Sequence, residues 1–405
     1  MKEVILWILS FVSLFVSLFW LQVMYLKKKE TYSNNYYPNV SILIPAYNEE
    51  KIIAKTIQSV LKLDYPKDKL KIIVINDDSK DKTKEVAKRF KEVLVVGNKH
   101  KGIGKASALN YGLKFVNTEL FAVLDADSEV SPDSLKKLVT LFKDKEVAAA
   151  ISEIKVKNLH NTLTHIQRIE YILATFIRKL MSKIDTLHIT PGVLSVYQTN
   201  IVKKLHNFDE NNITEDLEIA MRLRYNNYKV KMHEDAITYT NVPFTFSKLW
   251  DQRIRWFRGF IQNNLKYKKM IMSKKHGLMG KLQMPLNVIT FFTILLAFFL
   301  ISYDLIKSLY QAITKLILLK SDILYTIKLP VLKEFLLSIN ITYFFPLTVA
   351  LLLSFVLLYL AHKNSKEKFL LNPALLIYFS IYPLIRLSHW VTAIYKETIK
   401  TRRKW

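Results

Sequence analysis

The stretch that decides the fold is LFAVLDADSEV, Leu120–Val130. An apolar run stops at an aspartate, and a second aspartate follows one residue later. A short apolar run bounded by polar residues reads as a strand buried on both faces. That places Leu120–Leu124 in the sheet and Asp125 and Asp127 on the loop past its end. The same pattern recurs upstream, where Val40–Ile44 is followed by PAYNEE and Leu70–Ile75 by NDDSKDKT. Val93–Val96 and Val147–Ile151 read as further strands. Helical patterns separate them. Asn48 stands as the cap of a helix with Glu49 and Glu50 in its first turn and Ile52, Ile53, Ile57, Val60 and Leu61 on one face. Further helices fall near Thr83–Phe90, over Lys105–Phe115 and after Ser131-Pro132. Strands alternating with helices at this spacing predict an α/β fold with a mostly parallel, doubly wound sheet. Ligands bind past the C-terminal strand ends of such sheets, and three polar clusters fall there in register.

Outside this region the sequence changes character. Val4–Leu26, Met284–Tyr303, Ile341–Ala361 and Phe369–Ile385 contain no charged residue. Uncharged apolar runs of about 17–25 residues match the thickness of a bilayer core. The first run lacks a small-residue cleavage site and ends at Lys27, Lys28 and Lys29, so it reads as a membrane anchor with its basic end in the cytosol. The chain has 405 residues, and Lys+Arg (60) exceed Asp+Glu (34) to give a net charge of +26. Such a balance suits anionic lipid or phosphorylated substrates; in a membrane protein, nucleic acid is the weaker partner. With no cysteine, disulfides, thiolate metal sites and a cysteine nucleophile are excluded.

Several residues have both a chemical and a purely structural reading. Asp125 and Asp127 form a D-x-D that can turn carboxylate oxygens toward a hard divalent cation, Mg²⁺ or Mn²⁺, or they are solvated loop acids. Asp77, at the end of the second strand, can accept from a nucleobase or ribose, or it caps the next helix. Lys105 can reach a phosphate as a point charge, or it is one surface lysine among many. Glu215 and Asp216 head a helix over Glu215–Tyr225. One of them can act as a general base, or both complement the helix dipole. Phe246–Lys266 reads as a basic, aromatic, amphipathic helix lying against the membrane. Within its QRIRW, Gln252 and Arg255 share a helix face, where they can stabilise a leaving diphosphate. Trp256 offers an apolar slab to a sugar ring.

In order along the chain, SILIPAYNEE, VINDDSKDKT, GKASALNYGL, LDADSEV, ITEDLEIAMRL and QRIRW resemble the membrane-embedded family 2 glycosyltransferases. These are the hyaluronan, chitin, cellulose and poly-N-acetylglucosamine synthases, the last being most similar in layout. The resemblance runs from about Val40 to Phe260. It implies an α/β GT-A-type doubly wound catalytic domain inserted between transmembrane α-helices, a UDP-sugar donor and an inverting displacement. By the resemblance, Asp77 contacts the uridine, and Asp125 and Asp127 hold metal and diphosphate beside Lys105. Asp216 would be the base, with Glu215 next to it. Gln252 and Arg255 cover the pyrophosphate, while Trp256 and Gly192, in TPGVLSVYQ, line the acceptor site. Asp78 departs from the family, which has Gly after its aspartate.

The expected domains are an N-terminal transmembrane helix (1–30), a cytosolic GT-A domain (31–245), interface helices (246–282) and a C-terminal membrane region of three or four crossings (283–405). The protein is then a multi-pass enzyme of the plasma membrane. The tail at Lys400–Trp405 is basic and belongs inside by the positive-inside rule. Inside placement requires either that Leu305–Leu319 also crosses or that the last apolar run re-enters. The leading expectation is a processive polysaccharide synthase. The alternative is a single transfer to a membrane lipid acceptor.

Overall fold

The computed structural model describes residues 2–26, 36–97, 104–319 and 341–399. The basic stop at Lys27–Lys29 and the tail at Lys400–Trp405 lie outside the described residues. The chain divides into two units, one of residues 1–25 and 286–360, the other of residues 26–285 and 361–405.

The second unit is built on an eight-stranded sheet in the order β3-β2-β1-β4-β7-β6-β8-β5. Its strands are β1 (Val40–Ala46), β2 (Leu70–Asn76), β3 (Val93–Gly97), β4 (Leu120–Leu124), β5 (Ser128–Val130), β6 (Val147–Val156), β7 (Val193–Gln198) and β8 (Lys229–Thr240). The half β3-β2-β1-β4 is wholly parallel. Beyond it β7 runs antiparallel between β4 and β6, and β5 antiparallel to β8, so the sheet as a whole is mixed. Each of the five strands legible in the sequence is present.

Side chains alternate across a strand, and both sets are buried here. Ile42, Ile44, Val74, Ala122 and Leu124 join one core, whereas Leu43, Ile73, Ile75, Phe121 and Val123 join another on the opposite face. The helix α2 (Ile53–Leu61) covers the first face with Ile53, Ile57 and Val60; α4 (Lys105–Leu113) covers the second with Ala108, Leu109 and Leu113. Each fully buried Ile or Leu contributes about 1.5–3 kcal/mol, which is why such strands read as unbroken apolar runs. Between α2 and α4 lies α3 (Thr83–Ala87). The helix expected at Ser131-Pro132 starts later, as α5 (Ser134–Val139), because Ser131 is still donating its N–H to Ile237 O.

In the polar second half, α6, β7 and α7 were left unassigned by the sequence reading, whereas the helices over Glu215–Tyr225 and Phe246–Lys266 are found where it put them. The helix α6 (Thr162–Lys183) opens with a capping box in which Asn161 and Thr164 each accept from the other's backbone. After it come β7, α7 (Thr199–Lys204), α8 (Glu215–Tyr225), β8 and α9 (Phe246–Lys266). The helix α9 turns Leu249, Arg253, Ile254, Arg258, Gly259 and Asn263 inward.

The apolar runs become helices of different kinds. In the first unit, α1 (Lys2–Tyr25) holds the first run and α10 (Met284–Leu319) the second. Among the described helices these two are long and apolar enough to cross a membrane. Because α10 is unbroken over 36 residues, Leu305–Leu319 continues the helix that holds the second run. The third run lies in α11 (Ile341–Asn364). The fourth is broken at Ile381 into α12 (Pro373–Ser380) and α13 (Tyr382–Thr398), bent by 48°. That break is the geometry of a broken span or a re-entrant segment.

Candidate active site

The parallel register sets the site. Pairing of Leu43 with Val123 and of Ala46 with Asn76 brings the ends of β1, β2 and β4 to one edge. The strand order reverses around β1, and the crevice past such a reversal is where ligands bind in open α/β sheets. The first two loops are laced together there. Asn48 N–H donates to Ser79 Oγ (3.1 Å) and Asn48 Oδ1 accepts from Lys80 N–H (2.8 Å). Glu49 N–H reaches Thr83 Oγ1 at 2.7 Å. Asn48 therefore bridges two loops and does not cap α2, which starts at Ile53 without a side-chain cap. Likewise Asp81, not Asp77, accepts from the N–H of Thr83 at the start of α3 (3.0 Å). Asp77 is left buried at the strand end, its N–H donating to Ala46 O at 2.9 Å.

Asn48 and Asp78 both take the left-handed conformation, with φ of 56° and 59°. Asn and Asp tolerate that region far better than other non-glycine residues. Asp78 thus performs the turn for which the resembling family uses Gly.

A bulge between Val123 and Leu124, opposite Leu194 with φ 53°, shifts the β4–β7 register just before Asp125. Bulges beside sites re-aim the side chains that follow. Here Asp125 N–H donates to Gly192 O (2.9 Å), and Lys105 Nζ lies 2.5 Å from Asp125 Oδ1 and 3.2 Å from Glu215 Oε1. Burial by itself would weaken the Lys105 ammonium, but Asp125, Glu215 and Asp216 outweigh it and hold its pKa above the ordinary lysine value. Gly192 fills the remaining space: a Cβ there would sit 2.1 Å from Lys105 Nζ and 2.6 Å from Asp125 Oδ1. Four sequence candidates, Lys105, Asp125, Gly192 and Glu215, thus form one contact cluster.

Asp216 stands beside them. Its Oδ1 accepts from Leu217 N–H (2.8 Å) and its backbone oxygen accepts from Thr190 Oγ1 (2.7 Å). Burial, and then the Glu215 charge, raise its pKa to about 6; Lys105 and Arg255 pull the other way. Burial and Asp125 raise Asp127 to about 6 as well. Glu49 reaches about 7 through burial and the charges of Asp127, Asp81 and Asp125, opposed by Lys248. Among the described residues no three His, Asp or Glu gather into a metal site. Asp125 and Asp127 can therefore hold a divalent cation only in company with other oxygen ligands, as Mg²⁺ sites that share substrate phosphates do. Their mutual repulsion is what such a cation relieves.

The helix α9 closes this arrangement. Lys248 acts on Glu49 and Arg255 on Asp216, two positions two helical turns apart. Gly259 permits the approach, since a Cβ there would meet Thr214 Oγ1 at 2.1 Å, immediately before Glu215. Gln252 Oε1 accepts from Arg253 Nη1 at 2.5 Å. Sequence reasoning missed Arg253. It is 1% exposed, pairs with Glu170 Oε2 of α6 at 2.7 Å and stacks on Trp256, 4.2 Å from the ring centroid. Glu170 also accepts from Tyr382 Oη of α13 (2.9 Å). The Asn161-x-x-Thr164 signature was the available signal for α6.

Residues 41–205 match the family model described as glycosyl transferase family 2. They form a family 2 glycosyltransferase domain. This domain's relatives include the "Probable glycosyltransferase YdaM" of Bacillus subtilis (strain 168), 35% identical over 234 residues, or 55% of this chain and 55% of that one. The poly-beta-1,6-N-acetyl-D-glucosamine synthase of Staphylococcus aureus (strain COL) is 30% identical over 266 residues, 62% of this chain and 64% of that one. The chain thus spans between about half and two thirds of these relatives' lengths. In fold, the family 2 domain and its flanking helices align with the mannosyltransferase PcManGT of Pyrobaculum calidifontis, solved with GDP-Man and Mn²⁺. The TM-score is 0.67 at 18% identity, covering 99% of this chain and 100% of the other. The GT-A fold expected from the sequence is the fold found.

Proposed function

We propose that this protein is an inverting glycosyltransferase that moves a sugar from a UDP-sugar to a hydroxyl of a growing glycan at the membrane. The observation that carries the reading is the Lys105–Asp125–Glu215 contact cluster, with Asp216 next to it and α9 across it. Asp77 takes the uracil or ribose. Asp125 and Asp127 hold a divalent cation, Mg²⁺ or Mn²⁺, together with the donor diphosphate. When bound, that cation supplies charge neutralisation at the diphosphate. Lys105, already flanked by carboxylates, stays charged throughout and faces the same phosphates. Gln252 and Arg255 stabilise the negative charge that develops on the leaving UDP.

Asp216 is the base. A carboxylate with a pKa of about 6 is ionised at neutral pH, yet basic enough to take the acceptor hydroxyl proton as the new bond forms. Gly192, on the loop that lines the acceptor site, lets Lys105 and Asp125 close against the backbone, and Trp256 supports the acceptor's sugar ring. Export through the membrane helices, with many transfers per encounter, is the processive form of this activity.

The test is transfer of radiolabel from a panel of UDP-sugars by the purified full-length protein with Mg²⁺ or Mn²⁺. A high-molecular-weight aqueous product from one donor supports a polymerase and names the sugar. A single organic-soluble product replaces it with transfer to a lipid. No turnover of any UDP-sugar overturns the reading.

A further inference from the structure

Arg255, Gly259 and Asn263 follow one another at intervals of four along α9, so they share one face of the helix. That face is seated on the segment Asn212–Thr214, which leads into Glu215 and Asp216. Gly259 lies against Thr214, where a Cβ would overlap the threonine side chain. Asn263, one turn further on, is 0% exposed. Its Nδ2 donates to Thr214 Oγ1 (3.1 Å) and to Gly259 O of its own helix (2.9 Å). Its Oδ1 accepts from Asn212 Nδ2 (2.9 Å). Asn212 Oδ1 accepts from Thr214 N–H (3.0 Å) and Thr214 Oγ1 (3.2 Å). Asn212 and Thr214 are buried as well, and every polar side-chain atom of the three has a partner.

A glycine contact sets how closely two elements approach, but not how one is turned or slid along the other. Directional hydrogen bonds fix those freedoms, and a closed buried network fixes them most strictly. The Arg253–Glu170 pair fastens α9 to α6 and leaves its register on α8 open. Asn263 supplies that register. Thr214 is joined directly to Glu215, which meets Lys105 at 3.2 Å, and Asp216 follows. Lys266 Nζ and Tyr267 Oη also reach the buried Glu218 of α8, at 2.7 and 2.6 Å. They do so from the last residue of α9 and the one beyond it, so they keep the two helices together without setting how the Arg255 face is turned.

We propose that Asn263 is a positioning residue of the transfer reaction: through Thr214 and Asn212 it holds the head of α8, with Asp216, in register with Arg255 on α9. This rests on the glycosyltransferase reading, in which Asp216 takes the acceptor proton and Arg255 stabilises the departing diphosphate. The two act on one forming and one breaking bond at the same moment, so their separation has to be set before the substrates arrive.

The experiment is a kinetic double-mutant cycle on the full-length protein in detergent, with the UDP-sugar and acceptor that the wild type turns over. Asn263→Ala removes the network, and Gly259→Ala drives a wedge into the same contact. Each is expected to lower kcat by about 10- to 100-fold, the scale of a displacement of about 1 Å. KM for the UDP-sugar stays nearly unchanged, because the interaction lost is one made in the transition state. Both changes act on one contact, so the double variant should fall far short of the product of the two losses. The acid limb of kcat should also move upward by about 0.5–1 pH unit as Arg255 retreats from Asp216, a part of the 1–3 units that a close opposite charge commands. A smaller folded fraction lowers kcat but cannot move that limb. If Asn263→Ala does not fold, Thr214→Val takes its place in the cycle, since it keeps the shape and removes the hydroxyl that Asn263 binds. Near-normal kcat in the single variants, losses that multiply, or an unmoved acid limb overturns the proposal while leaving the glycosyltransferase reading intact. No turnover of any UDP-sugar by the wild type overturns both.

Discussion

Arg253 Nη2 meets Glu170 Oε2 at 2.7 Å, joining the middle of α9 to the middle of α6 through a guanidinium that is 1% exposed. The bond holds the motif helix in place through a charge hidden from solvent. Breaking one side of a buried pair leaves the other uncompensated and costs about 3–5 kcal/mol, whereas replacing both by apolar groups costs far less. Arg253→Ala is therefore expected to lower the melting temperature in detergent much more than the double change Arg253→Met with Glu170→Leu. Equal losses in the two proteins would show that the pair does not fasten the helices.

That pair also marks the limit of what the sequence discloses. The strands β1, β2, β3, β4 and β6 were legible because their residues are apolar on both faces, and the loops after β1, β2 and β4 because acids follow those runs abruptly. The functional cluster was legible residue by residue, since D-x-D, TED and QRIRW each carry a chemical pattern. The long helix α6 was missed although Ile166, Ile169, Ile172, Phe176 and Leu180 recur at helical spacing on its buried face; Gln167, Arg168 and Thr175 are buried among them and dilute that apolar signal. The partner of Arg253 lies 83 residues away in the chain, so nothing local to QRIRW separates the arginine that anchors the helix from Arg255, which faces the site.

Gly192 tests the packing of the centre. With a Cβ placed 2.1 Å from Lys105 Nζ and 2.6 Å from Asp125 Oδ1, Gly192→Ala must push both groups aside. The change is at the sheet edge and outside the two cores, so folding should survive. A displacement of about 1 Å in a reacting group costs about 10²-fold in rate, and turnover is expected to fall by that order while the melting temperature moves little. Near-normal kcat/KM in this variant would mean that Lys105 and Asp125 tolerate displacement and do not hold the donor closely.

Asp78 gives a milder contrast. Its φ of 59° is one that Gly adopts freely and β-branched residues strongly resist. Asp78→Gly should leave donor affinity and stability within about 1 kcal/mol of wild type. Asp78→Val should weaken binding of UDP, because the turn that presents Asp77 can no longer close. Isothermal titration with UDP on the two variants reads this directly, and equal affinities would remove the turn from the donor site.

The pH dependence follows from Asp216. As a base it must be ionised, and burial beside Glu215 raises its pKa to about 6. A raised pKa means that the carboxylate is protonated, and inactive, as pH falls through that value. Activity is therefore expected to be flat from about pH 7 to 8 and to drop tenfold per unit well below pH 6. Bound diphosphate moves the limb upward, and the divalent cation that accompanies it moves the limb downward. Asp216→Asn should lose about 10²- to 10⁴-fold in kcat, keep its affinity for UDP and show no acid limb in what remains. A variant that keeps both its rate and its acid limb would pass the base role to another carboxylate, with Glu49, raised to about 7 beside Asp127, the next to substitute.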